Sequence, residues 1–400
     1  MASRIDSGSH LQRGAVPVFM AFVAMGFGDA VGPLVSLSKE EFNLSNTSAQ
    51  LIPFTGYGVF AALSLPMGIF QGRHRRKSLV LAGLLVMLLG LLIPTVGLFS
   101  IGTLLVTVLL IGAGNVILQV SGNPLMRDAS PPGGYARNLS FAQFFKGMGT
   151  VSSSLIPVGA TVLAGASWRI MFPIYAVFVL LSVAAVLRTR IREYDAPGRR
   201  PPGFASTVAL LRKRFVAAMA LSIFVYIGAE VTVATQTPLL LQEQFGLDAG
   251  RIGLLGTALF VTALTAGRLV GGFLLRNFHS NTVLRIGCII SIAGLLGVYI
   301  PSTGMAITSL IFTGLGFANT FPLIFSITIR AMPEYTDALS GLLLTMVIGG
   351  ALLPLVAGFT ADQTGSVPMS FLIPLAAFLF ISAVAFSPLT RLQAERRPAG

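Results

Sequence analysis

Charge is scarce in this sequence: 10% of its 400 residues are Asp, Glu, Lys or Arg, against 54% that are hydrophobic. Soluble domains carry about a quarter charged residues, so a water-exposed globular fold is excluded from the start. Cysteine is almost missing as well. The single Cys288 rules out an internal disulfide and with it any disulfide framework. The three histidines, His10, His74 and His279, fall in the tail or in expected loops, and no metal-ligand spacing occurs. Short segments of alternating polarity, the mark of an outer-membrane barrel, are absent. The N-terminal MASRIDSGSHLQRG is too poor in apolar residues to read as a cleaved signal peptide.

What the sequence has in quantity is long apolar runs. Mean hydropathy is +0.83, and the runs reach the roughly 20 residues a helix needs to cross ~30 Å of hydrocarbon. Twelve spans are expected near residues 15–37, 47–70, 78–98, 101–126, 136–163, 168–188, 215–242, 249–275, 282–301, 304–329, 337–361 and 367–389. The fold class is therefore an all-α membrane protein with twelve transmembrane helices. The net charge of +13 is a topology signal. Loops on the side of the N-terminus, with the two tails, hold 22 of the 27 lysines and arginines. The opposite loops hold Lys39, Arg169 and Arg251. Positive charge collects on the cytoplasmic side, so both termini are expected there and the protein in a bacterial-type inner membrane, crossing it many times. No nucleic-acid partner is needed to explain the basic residues.

The stretch RTRIREYDAPGRRPPGFASTVALLRKR, residues 188–214, is the longest polar segment and divides the spans six plus six. The expected organisation is a tail at 1–14, a first bundle at 15–189, a linker at 190–213, a second bundle at 214–390 and a tail at 391–400. The halves repeat. LLIGAGN in span 4 precedes Arg127 as IFTGLGF in span 10 precedes Arg330; Pro157 in span 5 matches Pro354 in span 11. Spans 1 and 7 carry Asp29 and Glu230 at similar depth. Two homologous six-helix halves are the mark of secondary transporters, with the substrate near the midplane.

Asp29, Lys146, Glu230 and Arg268 lie within spans. A charge there costs roughly 3 kcal/mol by insertion scales, so it is rarely idle. Arg268 stands two turns from a span end, where it is expected to snorkel or bind loop carbonyls. The other three are deeper. Beside them run polar stripes at helical spacing: Asn115, Gln119 and Asn123 on span 4, Gln143, Lys146 and Thr150 on span 5, Tyr226 and Glu230 on span 7, with Asn319 and Thr320 on span 10. Small hydroxyls on such faces commonly glue helices together. Amides opposite carboxylates read as a binding surface. A nucleophile with its base, paired acids with a metal, or an HExxH helix is absent, so an enzyme is not expected.

The stretch GNPLMRDASPPGGYARNLSFAQFFKGMG, residues 122–149, joins an NP pair, a short loop and R-x-L-x-x-A-Q-x-F. With YIGAE at 226–230, FPLIFSITI at 321–329 and IGGALLPLVAGFTAD at 348–362, the chain resembles the fucose permease-like sugar:cation symporters of the major facilitator superfamily over about residues 15–390. The resemblance implies the major facilitator fold, two pseudo-symmetric halves, a monomer, and alternating-access uptake of a neutral sugar with H⁺, or with Na⁺, and no resident cofactor. Asp29 matches the family's span 1 acid. Three positions depart: Gln119 stands for a Glu, Lys146 for an Asn and Phe321 for a Tyr, while Gly72 replaces the usual Asp of the loop after span 2. The expected cation-coupling residues are Asp29, Glu230 and Lys146. Those expected to bind substrate are Gln119, Gln143, Lys146, Asn115, Asn123, Tyr226, Glu230, Asn319 and Phe321. Lys146 pairs with Asp29, binds an anionic sugar such as a uronic or sialic acid, or itself accepts the transported proton. The rival function is a drug:proton antiporter.

Overall fold

The computed structural model describes residues 7–28, 51–131, 133–189, 203–246 and 254–388, with 34, 38, 41–43 and 193 besides. Among these residues there are helices and no strands. They form two compact units: residues 1–204 with 334–345, and residues 205–333 with 346–400.

The first unit holds α1 (Ser7–Gly28), α2 (Leu51–Gln71), α3 (Arg76–Thr95), α4 (Ile101–Asp128), α5 (Tyr135–Ala164) and α6 (Met171–Arg188). The second holds α7 (Arg214–Phe245), α8 (Leu254–Leu274), α9 (Ser280–Gly297), α10 (Thr303–Phe317) and α11 (Thr320–Ala331). After these come α12 (Thr336–Thr345), which belongs to the first unit, then α13 (Gly349–Thr364) and α14 (Leu372–Phe386) of the second. Among the described residues, eight helical stretches are long and apolar enough to cross a membrane, and Val16–Gly28 and Leu259–Leu274 are shorter apolar helices.

Two expected spans carry an interruption of regular helix, though each remains one membrane-crossing stretch, Thr303–Ala331 and Pro333–Ala361. The span expected at 304–329 is broken at Ala318–Asn319, between α10 and α11. That expected at 337–361 passes through a 3₁₀ turn at Met346–Ile348, between α12 and α13. Hydropathy is continuous across both and carries no sign of a break. Helix α1 also begins at Ser7, two turns before the apolar run.

The repeat read from the sequence is visible as repeated packing inside each unit. In the first, α3 packs on α4 and α6, α2 on α4, and α1 on α5. In the second, α9 packs on α10 and α14, α8 on α10, and α7 on α13. The crossings reuse the same positions. A methyl group on Gly149 would overlap the Val23 carbonyl of α1, and one on Gly349 would overlap the Phe224 carbonyl of α7. Gly83 meets Gly114 as Gly287 meets Gly316. Without a hydrophobic force between helices in lipid, close backbone approach at small residues is what holds such bundles. Spans 5 and 11 both stop on a left-handed glycine, Gly165 at φ 57° and Gly365 at φ 62°, a conformation costly for any side chain with a Cβ.

At the basic end of the first unit, Arg76 is only 2% exposed. It pairs with Asp128 at 2.5 Å and Asp337 at 3.0 Å. Gln71 donates to the same Asp337 oxygen at 2.7 Å, and Arg127 donates to the Thr336 hydroxyl at 2.6 Å. These contacts tie α12 to α2, α3 and α4. Glu193 accepts the backbone N–H groups of Arg76 at 2.8 Å and Lys77 at 3.2 Å, a carboxylate on a helix N-terminus. Lys77 in return donates to the Leu187 and Thr189 carbonyls at the end of α6. At the other end Glu41 accepts from the indole of Trp168 and the guanidinium of Arg169.

Candidate functional site

On α4 the i, i+4, i+8 spacing turns Asn115, Gln119 and Asn123 to one side, and all three are buried. Gln119 donates to the Asn115 carbonyl at 3.2 Å, so two amides of the ladder satisfy each other in part. Asn123 does not join them. Neither polar atom of its side chain has a hydrogen-bond partner among the described residues. The proline that follows it explains the local build. Pro124 lacks the N–H that would bond the Val120 carbonyl, and Ser340 of α12 donates to that carbonyl at 2.7 Å instead. Tyr135 donates to the Asn123 carbonyl at 3.2 Å.

On α5, Gln143 is buried and its amide nitrogen has no partner among the described residues. Lys146, one turn on, is half-buried. The hydroxyls nearby are consumed by their own helix: Thr150 donates to the Lys146 carbonyl and Ser153 to the Thr150 carbonyl. Both bonds stay within α5 and are not the helix-to-helix contacts expected of small hydroxyls. Lys146 sits where α1 and α5 approach closest, because its carbonyl and the Cα of Gly149 lie against Gly26. Phe19 packs on Phe145 beside it, with ring centroids 4.9 Å apart. Asp29 lies outside the described residues, and so does the expected pairing of Asp29 with Lys146.

A cleft between α1, α2 and α4 opens one turn before Asn115. It encloses about 480 Å³, counting space open to solvent, and its lining includes Phe27, Tyr57, Phe60 and Gly112. Sequence reading did not single out these aromatics, since aromatic residues at helical spacing look the same in a core.

In the second unit Tyr226 is fully buried and Glu230 stands one turn further along α7. Arg268 of α8 is 8% exposed, so it does not snorkel to water. Its Nη2 lies 3.6 Å from Glu230, an intramembrane ion pair that the sequence reading missed. Periodicity cannot pair residues on different helices. The Tyr226 hydroxyl faces the same carboxylate and guanidinium but has no well-formed hydrogen bond among the described residues. Asn319 stands at the break between α10 and α11 and donates to the Gly267 carbonyl at 2.8 Å. Phe321 is buried against Phe325, centroids 5.6 Å apart. No group of His, Cys, Asp and Glu among the described residues could hold a metal.

These helices, their repeated packing and the buried polar groups meet one family model. The Major Facilitator Superfamily model matches residues 18–347 and 219–399. The chain belongs to the Major Facilitator Superfamily. Within this superfamily it is 28% identical over 367 residues to a glucose/galactose transporter of Brucella abortus, covering 87% of each chain. It is 24% identical over 396 residues to the L-fucose-proton symporter of Escherichia coli, covering 91% of this chain and 89% of that one. A crystal structure of the superfamily transporter FucP in the outward conformation superposes with a TM-score of 0.81 at 22% identity, over 93% of this chain and 97% of that one. The chain is thus a multi-pass membrane protein with the superfamily's fold, among relatives that are transporters and not enzymes.

Proposed function

We propose that the protein takes up a neutral sugar together with a cation, H⁺ before Na⁺, by alternating access. The observation that carries this reading is the set of buried amides inside membrane helices. Asn123 and the Gln143 nitrogen have no partner among the described residues, and Gln119 and Asn115 stand one and two turns away. Buried polar groups are nearly always satisfied. A polyhydroxylated ligand would satisfy these, and amide groups match sugar hydroxyls as both donor and acceptor. The relatives named for glucose, galactose and fucose support the same class.

In this reading Asp29 is the coupling residue, and Lys146 serves as its countercharge, released when Asp29 is loaded. Within the first unit, Asn115, Gln119, Asn123 and Gln143 are the proposed sugar contacts; within the second, they are Tyr226, Glu230, Asn319 and Phe321. The protein acts as a monomer in a bacterial-type inner membrane, with both termini in the cytoplasm. The amide-rich faces fit a drug cation poorly, which disfavours the antiporter reading. Lys146 among the amides gives one alternative, an acidic sugar with its carboxylate on that ammonium.

The test is uptake into proteoliposomes under an imposed pH gradient and, separately, a Na⁺ gradient. D-glucose, D-galactose and L-fucose are compared with D-glucuronate, N-acetylneuraminate and a drug cation. Accumulation of a neutral hexose driven by pH and lost in Asp29→Asn is the expected result. Transport of the acidic sugars alone, abolished in Lys146→Met, would replace it with the alternative. Accumulation that survives Asp29→Asn would overturn the coupling role.

A further inference from the structure

The break at Ala318–Asn319 has a matching seat on α8. Gly267 and Gly271, four residues apart in GRLVG, present one bare strip of helix. A methyl group on Gly267 would stand 2.6 Å from the Ala318 Cβ, and one on Gly271 would overlap the Asn319 side chain. The break therefore lies directly on α8. A broken membrane helix frees carbonyls that must find donors within the protein. The Ala318 carbonyl lacks its usual donor because Pro322, four residues on, has no N–H; Arg268 Nε approaches that carbonyl at 3.4 Å, and Asn319 Nδ2 donates back to the Gly267 carbonyl of α8 at 2.8 Å. The same guanidinium reaches Glu230 on α7 at 3.6 Å. Span 4, the repeat partner of this region, runs unbroken from Ile101 to Asp128, so the arrangement belongs to the second unit alone.

Three polar atoms around this guanidinium lack a well-formed hydrogen bond among the described residues: the Tyr226 hydroxyl, Glu230 Oε2 and Asn319 Oδ1. We infer that Arg268 is a positioning residue of the sugar site, holding the Glu230 carboxylate directly and, through the Ala318 carbonyl beside it, the Asn319 side-chain oxygen in place as acceptors for sugar hydroxyls. It acts through those two residues and does not itself touch the sugar. A guanidinium suits the task because its planar donors can serve a carboxylate and a carbonyl at once. This inference rests on the transport reading for the sugar and on the break alone for the positioning.

The test has one arm that uses sugar and one that does not. In counterflow with D-glucose, D-galactose or L-fucose, whichever the unaltered protein exchanges, Arg268→Met should raise KM about tenfold while Vmax stays within about twofold, the pattern of lost ground-state binding. Arg268→Lys, which keeps a charge for Glu230, should recover part of the affinity. Glu230→Gln should raise KM similarly, and the double variant Glu230→Gln with Arg268→Met should be no worse than either alone, because both act on one interaction. The second arm is hydrogen exchange of residues 317–325 in the sugar-free protein. There Arg268→Met should speed exchange at least about tenfold, with Arg268→Lys between it and the unaltered protein. An unchanged KM, additive single effects, or unchanged exchange at the break would each overturn the positioning role. If no neutral hexose is exchanged at all, the transport reading fails, and the exchange arm still decides whether Arg268 holds the break. Should Arg268→Met not fold, Arg268→Lys and Glu230→Gln carry both readouts.

Discussion

Replacing Asp337 by alanine tests the packing of the first unit most directly. One oxygen of Asp337 receives Gln71 at 2.7 Å, Arg76 Nη2 at 3.0 Å and Arg76 Nε at 3.2 Å. Arg76 is 2% exposed, so water cannot take over the lost role. Breaking a buried pair by removing one partner costs about 3–5 kcal/mol. Arg76 keeps Asp128, which places the effect near the lower end, about 3 kcal/mol. For a unit of some 200 residues each kcal/mol moves the transition by about 2–4 °C, giving a fall of about 6–12 °C. Asp337→Asn keeps an acceptor of the same shape and loses only the charge assistance, so about 1–2 kcal/mol is expected. The chain supplies its own reporters. Its single tryptophan, Trp168, lies buried in the first unit and its single cysteine, Cys288, lies buried in the second. Melting followed by Trp168 fluorescence and by maleimide labelling of Cys288, at one fixed scan rate, reads the two units separately. A Trp168 transition within about 2 °C of the unaltered protein would refute the reasoning, since three lost donors must register if the network holds α12 in place.

Other expectations follow from the same packing. Gly149→Ala and Gly349→Ala each force a methyl group into a carbonyl of the facing helix, and overpacking of that kind costs about 1–3 kcal/mol. The first should lower the Trp168 transition and the second the Cys288 transition; a silent Gly349→Ala would contradict the repeated crossing. Glu193→Ala removes the carboxylate from the N-terminus of α3, a cap worth about 1 kcal/mol, and should lower the Trp168 transition by a few degrees less than Asp337→Ala does. The Glu41 carboxyl is held below its ordinary value, first by the Trp168 N–H and then by Arg169, against a smaller opposing effect of burial. A lowered carboxyl contributes stability that is complete above the ordinary carboxylate range and is lost as pH falls through the lower folded value. Trp168 fluorescence should therefore hold steady on acidification through that ordinary range and change only beneath it, and Glu41→Gln should abolish the change. A transition centred above the ordinary carboxylate range would show that Trp168 and Arg169 do not stabilise the ionised form.

Residue chemistry and spacing alone determined the membrane class, the helical build, the internal repeat and the amide faces of α4 and α5. These are local properties: a run of apolar residues must span as helix, and i, i+4 spacing must share a side, whatever the surroundings. The tertiary structure decided the rest. Hydropathy runs evenly through Ala318–Asn319; Pro322 withholds the N–H that would bond the Ala318 carbonyl, and only the fold brings Gly267, Gly271 and Arg268 of another helix against the break. Position along its span leaves Arg268 to snorkel or to bind carbonyls; it approaches the Ala318 carbonyl and also pairs with Glu230, thirty-eight positions away along the chain. The NP pair in α4 was legible as a motif, but the donor that makes its proline tolerable, Ser340, lies in the other sequence repeat. For the same reason residues 334–345 follow the buried Arg76 and Asp337 contact into the first unit. A sequence fixes which groups will need partners inside a membrane; only the packed fold decides which groups they find, because the partner is set by proximity in space and proximity is not written in spacing along the chain.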